Sequence, residues 1–465
     1  MNFSLVHLIG FLATLMIVFA IGIYSARRVK SAESFSLGGR SAGAAIVSGT
    51  IAGTIIGGAA TIGTTQLAYS AGLSAWWFTL GSGIGFLVMG IFYASPLRNT
   101  GLETISQYLV LNYGRPMGPL TSVISSVGIF FSIVASSLSG IHLLATLFGF
   151  ASWQAAVVTV FLVAAYVFWG GMQGTGLSGL MKVAIIYVTL FSAGWYAFQS
   201  LQQLPSLETA FPSSTWFSLF GADVWGGLGN VFSLVVGIVC TQTYIQAIFA
   251  ARDSQTALIG TCTAAVITIP VGLPSVAVGM FMRVNYPDIL PIDALPMYML
   301  NHMPAWLGGI GLAGLLISVV GSIAGLLLGI ATMVARDIFH GVFGVSDSRN
   351  LLWINRTTIV MVAFCAMLTA LANLQSFVLS WNYLSMALRG AGVFLPLTLA
   401  VFLPGVLKKK WAISSMVLST LFAITGYSLL ALSVNPLYTG MAASLLIILL
   451  GSCFSWFTQR KHALD

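Results

Sequence analysis

Ile51-Ala-Gly-Thr-Ile-Ile-Gly-Gly-Ala-Ala-Thr-Ile-Gly-Thr-Thr-Gln66 is uncharged and apolar enough for a bilayer, yet it is built to break as a helix. The adjacent Gly57 and Gly58 weaken helix near its middle, and the threonines that follow offer the backbone substitute partners. Backbone freed this way is tolerated at membrane depth only in protein-lined space, where it can hold a solute or an ion. A second segment, Gly237-Ile-Val-Cys-Thr-Gln-Thr-Tyr-Ile-Gln246, sets another polar cluster inside an apolar run. Two such interruptions at matching places of two halves point to a transporter site at the midplane.

The surroundings agree. The chain has 465 residues, 58% hydrophobic and 6% charged, against roughly 25% charged in soluble domains. Thirteen apolar runs bounded by turn signals predict spans at 5–26, 43–71, 75–95, 119–148, 152–172, 179–200, 226–250, 255–282, 306–335, 352–372, 375–404, 411–433 and 437–457. The first run is too long for a signal-peptide core and lacks a cleavage pattern, so it counts as a helix. With the N-terminus outside, sixteen of the eighteen basic residues fall on or beside the cytoplasmic side; Arg283 lies outside and Arg389 in mid-span. That asymmetry predicts a multi-pass inner-membrane protein with a periplasmic N-terminus and a cytoplasmic C-terminus. The net charge of +8 is therefore assigned to orientation. It sits in short loops with no basic face, which argues against nucleic acid as a partner. Cys240, Cys262, Cys365 and Cys453 lie in apolar runs without metal-ligand spacing.

The expected fold is all-α and polytopic, with a ten-helix core of two inverted five-helix repeats. Residues 1–42 hold an extra helix and the first cytoplasmic loop, 43–200 the first repeat and 201–225 a periplasmic loop. The second repeat spans 226–404, and 405–465 hold two extra helices and a tail. Gln66, Thr241, Gln242 and Tyr244 flank the interruptions and are candidate solute contacts. His142 and Arg389 are intramembrane polar residues that serve either packing or a solute, and a lone cation such as Arg389 needs a partner or a wet cavity.

Four segments in order resemble the sodium:solute symporter family over nearly the whole chain: Thr61-Ile-Gly-Thr-Thr-Gln-Leu-Ala-Tyr-Ser-Ala-Gly-Leu-Ser74, Tyr166-Val-Phe-Trp-Gly-Gly-Met172, Gln246-Ala-Ile-Phe-Ala-Ala-Arg-Asp253 and Gly329-Ile-Ala-Thr-Met-Val-Ala-Arg-Asp-Ile-Phe339. The resemblance implies a leucine-transporter-like architecture and cation-coupled solute uptake. It also implies a sodium site, with Gly53, Ile56 and Ser318 offering carbonyls and Ser322 a hydroxyl. Sodium, a hard cation, is suited by such oxygens.

Two departures stand against this pattern. Gly321 occupies a family hydroxyl position, and Ser178, Gly179 and Lys182 stand where the family shows Thr-Asp followed three residues later by Gln. Lys182 either snorkels to the cytoplasmic interface or reaches inward towards the cation site. The sequence thus describes a monomer-competent secondary transporter of a small polar organic solute, sodium being the expected coupling ion. A proton-coupled or cation-independent carrier is the alternative. An intramembrane enzyme lacks a catalytic motif, and a channel lacks a filter loop or charged ring.

Overall fold

The computed structural model describes residues 4–26, 36–203, 211–221, 223–428 and 435–462, without side-chain detail for 19, 21–26, 168–174, 427–428 and 454–462. The orientation charges Arg27, Arg28 and Lys30, and the side chains of Arg460 and Lys461, lie outside what is described. Among the described residues there is no strand, only one bridged pair, Ala42 and Ala251. A chain with so few charges satisfies its backbone in lipid by forming helices.

The principal helices are α1 (Leu5–Ala26), α2 (Ala44–Ile55), α3 (Thr64–Ala71), α4 (Trp77–Val88), α5 (Ile105–Tyr113), α6 (Met117–Phe148), α7 (Ser152–Gln202), α8 (Val224–Val239), α9 (Gln242–Ala250), α10 (Ser254–Thr268), α11 (Gly272–Asn285), α12 (Ala305–Met333), α13 (Ser348–Leu371), α14 (Val378–Phe402), α15 (Lys409–Ser428) and α16 (Pro436–His462). Eight described helical stretches are long and apolar enough to cross a membrane, nine if the bent pair α8 and α9 counts as one span. Shorter apolar helices lie at Leu5–Val18, Ala44–Ile55 and Ser152–Val167. The count of thirteen spans is therefore retained as a proposal.

α7 is helical over 51 residues, about 77 Å if straight. Yet the Tyr166 and Ser178 hydroxyls are hydrogen-bonded, although residues twelve apart on a straight helix are separated by about 18 Å. A straight helix cannot make that bond, so α7 bends sharply between them into two limbs. A bend there leaves room for the two spans proposed at 152–172 and 179–200.

α12 is the buried axis of the molecule, with almost every residue from Leu307 to Met333 shielded. Its glycines let neighbours approach closely, as small residues do where helices pack without a solvent-driven force. A Cβ at Gly309 would strike the His7 carbonyl of α1, one at Gly314 would meet Ile185 of α7, and one at Gly325 would overlap Thr54 of α2. The second limb of α7 crosses α2 still more tightly, because Gly179 packs backbone to backbone on Gly49 and Gly53.

Loops expected to share a side do meet at one end. The Arg98 Nε donates to the Ala251 carbonyl at 2.5 Å, and Arg40 Nη1 donates to the Gly101 carbonyl at 2.5 Å. Arg336 pairs with Glu103 at 2.8 Å. Nearby, Asp253 caps α10 by accepting from the Thr256 N–H at 2.7 Å, and that bond holds its carboxyl below the usual range. This end is called the basic end below.

Candidate functional site

The second predicted span breaks where its glycines stand. α2 stops at Ile55, Ile56 turns out of helical geometry at φ −78°, ψ 74°, and the Gly57 N–H reaches back only to the Ile55 carbonyl at 2.9 Å. Helix resumes through a wide turn at Ala59–Gly63 before α3. The threonines answer part of the loss: Thr61 donates to the Gly57 carbonyl at 2.9 Å and Thr64 to the Ala59 carbonyl at 3.1 Å. A side chain at 57 would collide with Ser322, so glycine is required by the close approach of α12.

The seventh predicted span breaks at Cys240 and Thr241, where α8 and α9 bend by 40°. The Thr241 hydroxyl donates to the Gly237 carbonyl at 2.6 Å and accepts from Arg389 Nη1 at 2.8 Å. Arg389 is fully buried. Its other contacts are the Ser385 carbonyl at 3.1 Å, the Ser385 and Ser132 hydroxyls at 2.9 and 3.3 Å, and the Met386 sulfur at 3.0 Å. Among the described residues no carboxylate lies within ion-pair distance of it. The guanidinium therefore reaches the break from α14 with its charge uncompensated. Tyr244, in the first turn of α9, is buried edge-on against Phe86, with ring centroids 5.0 Å apart.

The remaining candidate solute contacts serve backbone. Gln66 accepts from the Val378 N–H at 2.9 Å and donates to the Ser376 carbonyl at 3.4 Å, tying α3 to the start of α14. Gln242 accepts from the Ile105 N–H at 2.9 Å and donates to the Glu103 carbonyl at 3.0 Å, fixing the start of α5. His142 bonds the Leu374 carbonyl at 3.0 Å and lies 3.7 Å from Asp293, in segments linking helices at the end opposite the basic one.

The residues of the inherited cation site are brought together. The Ser318 hydroxyl donates to the Ile56 carbonyl, and the Ser322 hydroxyl donates to the Thr54 carbonyl at 2.5 Å. Lys182 does not snorkel. It is 1% exposed, and its Nζ donates to the Ser318 carbonyl at 3.1 Å. Its stem passes Gly53, and a Cβ at Gly321 would lie 3.0 Å from Nζ. These residues do not fit a sodium ion. Of the three inherited carbonyls, that of Ser318 accepts from an ammonium and that of Ile56 from the Ser318 hydroxyl; the Ser322 hydroxyl is turned to the Thr54 carbonyl, the hydroxyl at 321 is missing, and a fixed positive charge repels a second.

Two residues that the sequence reading passed over stand out in the structure. A cavity of about 370 Å³ at the end away from the basic loops is lined by Leu67, Ser70, Trp77, Asn230 and Tyr383. Tyr383 stands six residues before Arg389 on α14, about 9 Å along the axis, and packs edge-on against Phe78. Asp337 is buried near the basic end, accepting from Thr104 at 2.8 Å and Ser122 at 2.7 Å. It falls in the last quoted family segment, and only its burial, invisible in sequence, distinguishes it from a loop carboxylate.

Comparison with known proteins supports the same reading. The high affinity choline transporter 1 of Mus musculus is 23% identical over 452 residues, covering 92% of this chain and 77% of that one. The sodium/proline symporter of Staphylococcus aureus (strain JH9) is 24% identical over 440 residues, covering 88% and 83%. Among solved structures, a Na+-coupled sialic acid symporter in a substrate-bound outward-open state superposes with a TM-score of 0.80 at 15% identity, covering 97% of each chain. A nucleobase-cation-symport-1 family transporter gives 0.57 at 13% identity, covering 91% and 94%. At these identities the structural likeness speaks for the fold. The family model for sodium:solute symporters matches residues 35–418, and the chain, a polytopic membrane transporter, belongs to the sodium:solute symporter family.

Proposed function

We propose that the protein imports a small polar organic solute across the inner membrane by alternating access, binding it between the broken second and seventh spans. The observation that carries this reading is the Arg389 guanidinium, buried without a carboxylate at the break that Thr241 caps. A lone cation at membrane depth is costly and marks a substrate path. A solute bearing a carboxylate would supply the missing charge and bidentate acceptors. The cavity above Tyr383 is the entry, Tyr383, backed by Phe78, forms its floor, and Tyr244 and Thr241 mark the place beneath.

Family membership and the sodium-coupled structural neighbour support sodium coupling. The alternative, uptake independent of sodium at the inherited position, is favoured by the Lys182–Ser318 contact. The chain is proposed to work as a monomer, its N-terminus periplasmic and its C-terminus cytoplasmic. A C-terminal alkaline-phosphatase fusion is expected to be inactive and a C-terminal fluorescent fusion bright; the reverse pattern overturns the orientation.

The solute is found by a thermal-shift screen of the purified protein against amino acids, monocarboxylates, sugars and vitamins, with and without sodium, followed by uptake into proteoliposomes. Carboxylate-bearing compounds are expected to stabilise the protein. Tyr244→Ala and Tyr383→Ala are then expected to weaken apparent affinity by about tenfold, the scale of one lost aromatic contact. If both leave affinity and rate unchanged, the site lies elsewhere.

A further inference from the structure

The two departures from the family pattern, at 182 and 321, are far apart in sequence and adjacent in space. Lys182 leaves the second limb of α7 at the level where Gly179 lies on Gly49 and Gly53, so its stem starts close against α2 and runs beside Gly53. From there the ammonium reaches α12. It donates to the Ser318 carbonyl at 3.1 Å over a residue without a side chain. A Cβ at 321 would lie 3.0 Å from Nζ, tighter than most Cβ contacts, and 3.4 Å from the Lys182 Cδ, at the edge of ordinary contact, so the lysine would have to give way by a few tenths of an ångström. Glycine at 321 therefore removes a hydroxyl and at the same time clears the space the lysine fills.

The surrounding groups suit an ammonium. It has three N–H donors and no acceptor, and carbonyl oxygens are the groups on offer. The Ile56 and Thr54 carbonyls are already bonded by the hydroxyls of Ser318 and Ser322, so both serines act as donors here. Among the described residues no carboxylate pairs with Lys182. Its charge rests on the Ser318 carbonyl of α12, beside the Gly53 stretch of the broken helix.

We propose that the Lys182 ammonium is the resident cation between α2 and α12, that this position binds no sodium, and that Gly321 is the residue that admits the lysine. The proposal deepens the coupling part of the transport reading, and its test needs no solute, so either can fail alone. Full-length protein, purified in a potassium buffer, is melted in 100 mM NaCl against 100 mM KCl. The variants are wild type, Ser322→Ala, Lys182→Ala/Gly321→Ser, and that double variant with Ser322→Ala.

In the wild type, any sodium-specific shift is expected to be absent or untouched by Ser322→Ala. The double variant, with its ammonium gone and its hydroxyl restored, is expected to gain a sodium-specific rise of about 2 °C or more, abolished by Ser322→Ala. A wild-type sodium shift removed by Ser322→Ala overturns the proposal, and so does a monodisperse double variant indifferent to sodium. If the double variant does not fold, the two wild-type arms decide. Binding of radioactive sodium to the same four proteins, read at equilibrium, is expected to follow the same order.

Discussion

Gly179→Val is expected to leave little folded protein, and Gly179→Ala to lower the melting temperature of the purified carrier by several degrees. A Cβ at this position would overlap the Gly49 carbonyl and approach its carbon to 2.9 Å, with the Gly53 Cα 3.4 Å away. These are backbone atoms in buried helices, which cannot rotate aside as the end of a side chain can. Overpacking of this kind costs about 1–3 kcal/mol where neighbours can still adjust, and a branched side chain exceeds what they can give. The comparison is Gly43→Ala, where an added Cβ meets nothing within 4 Å and the backbone is extended at φ −76°; no loss is expected there. Thermal unfolding followed by size-exclusion chromatography checks all three. Equal loss at 43 and 179 would show that glycine content, and not the α2–α7 crossing, is what the fold needs.

The second large effect is expected at Arg389. If its guanidinium receives the carboxylate of the solute, Arg389→Met leaves that carboxylate buried and unpaired. Losing one partner of a buried charged pair costs about 2–5 kcal/mol, so apparent affinity should fall about 30-fold or more. Arg389→Lys should recover part of it, because an ammonium keeps the charge and loses the planar fork. The discriminating measurement is the uptake of matched analogues with the carboxylate intact or converted to an amide. Arg389→Met is expected to penalise the first and spare the second. If it penalises both alike, the guanidinium acts by tying α14 to Ser132 of α6 and Thr241 of the seventh span, and the solute need not be anionic.

How far the sequence reached can be judged at particular residues. The breaks were legible because they rest on local chemistry: glycines and hydroxyls weaken a helix wherever it packs, and both breaks fall within the quoted segments. A bend between Tyr166 and Ser178 was likewise expected from the boundary between two apolar runs. Gln66 and Gln242 were marked for their polarity beside the breaks, but polarity does not say whether an amide faces solute or backbone, and both amides bond neighbouring main chain. Lys182 had two routes, to water or inward. The choice depends on Gly321, 139 residues away, and on the closeness of α2, neither of which a single helix reveals. Tyr383 went unmarked because an aromatic residue in an apolar run looks like packing until a cavity is seen above it.

The covalent tether of the Lys182 ammonium has an electrical consequence. A sodium ion bound at this position would cross with the solute and add one elementary charge per turnover, worth about 2.3 kcal/mol at 100 mV. A lysine stays with the protein: whatever distance its charge moves as the carrier reorients, it moves back on the return. Over a full cycle in which the ammonium keeps its proton, this position carries no net current. The charge delivered per solute equals the solute's own plus that of any cation bound elsewhere. A zwitterion carried alone would be electrically silent, and an anion carried alone would be opposed by an inside-negative potential.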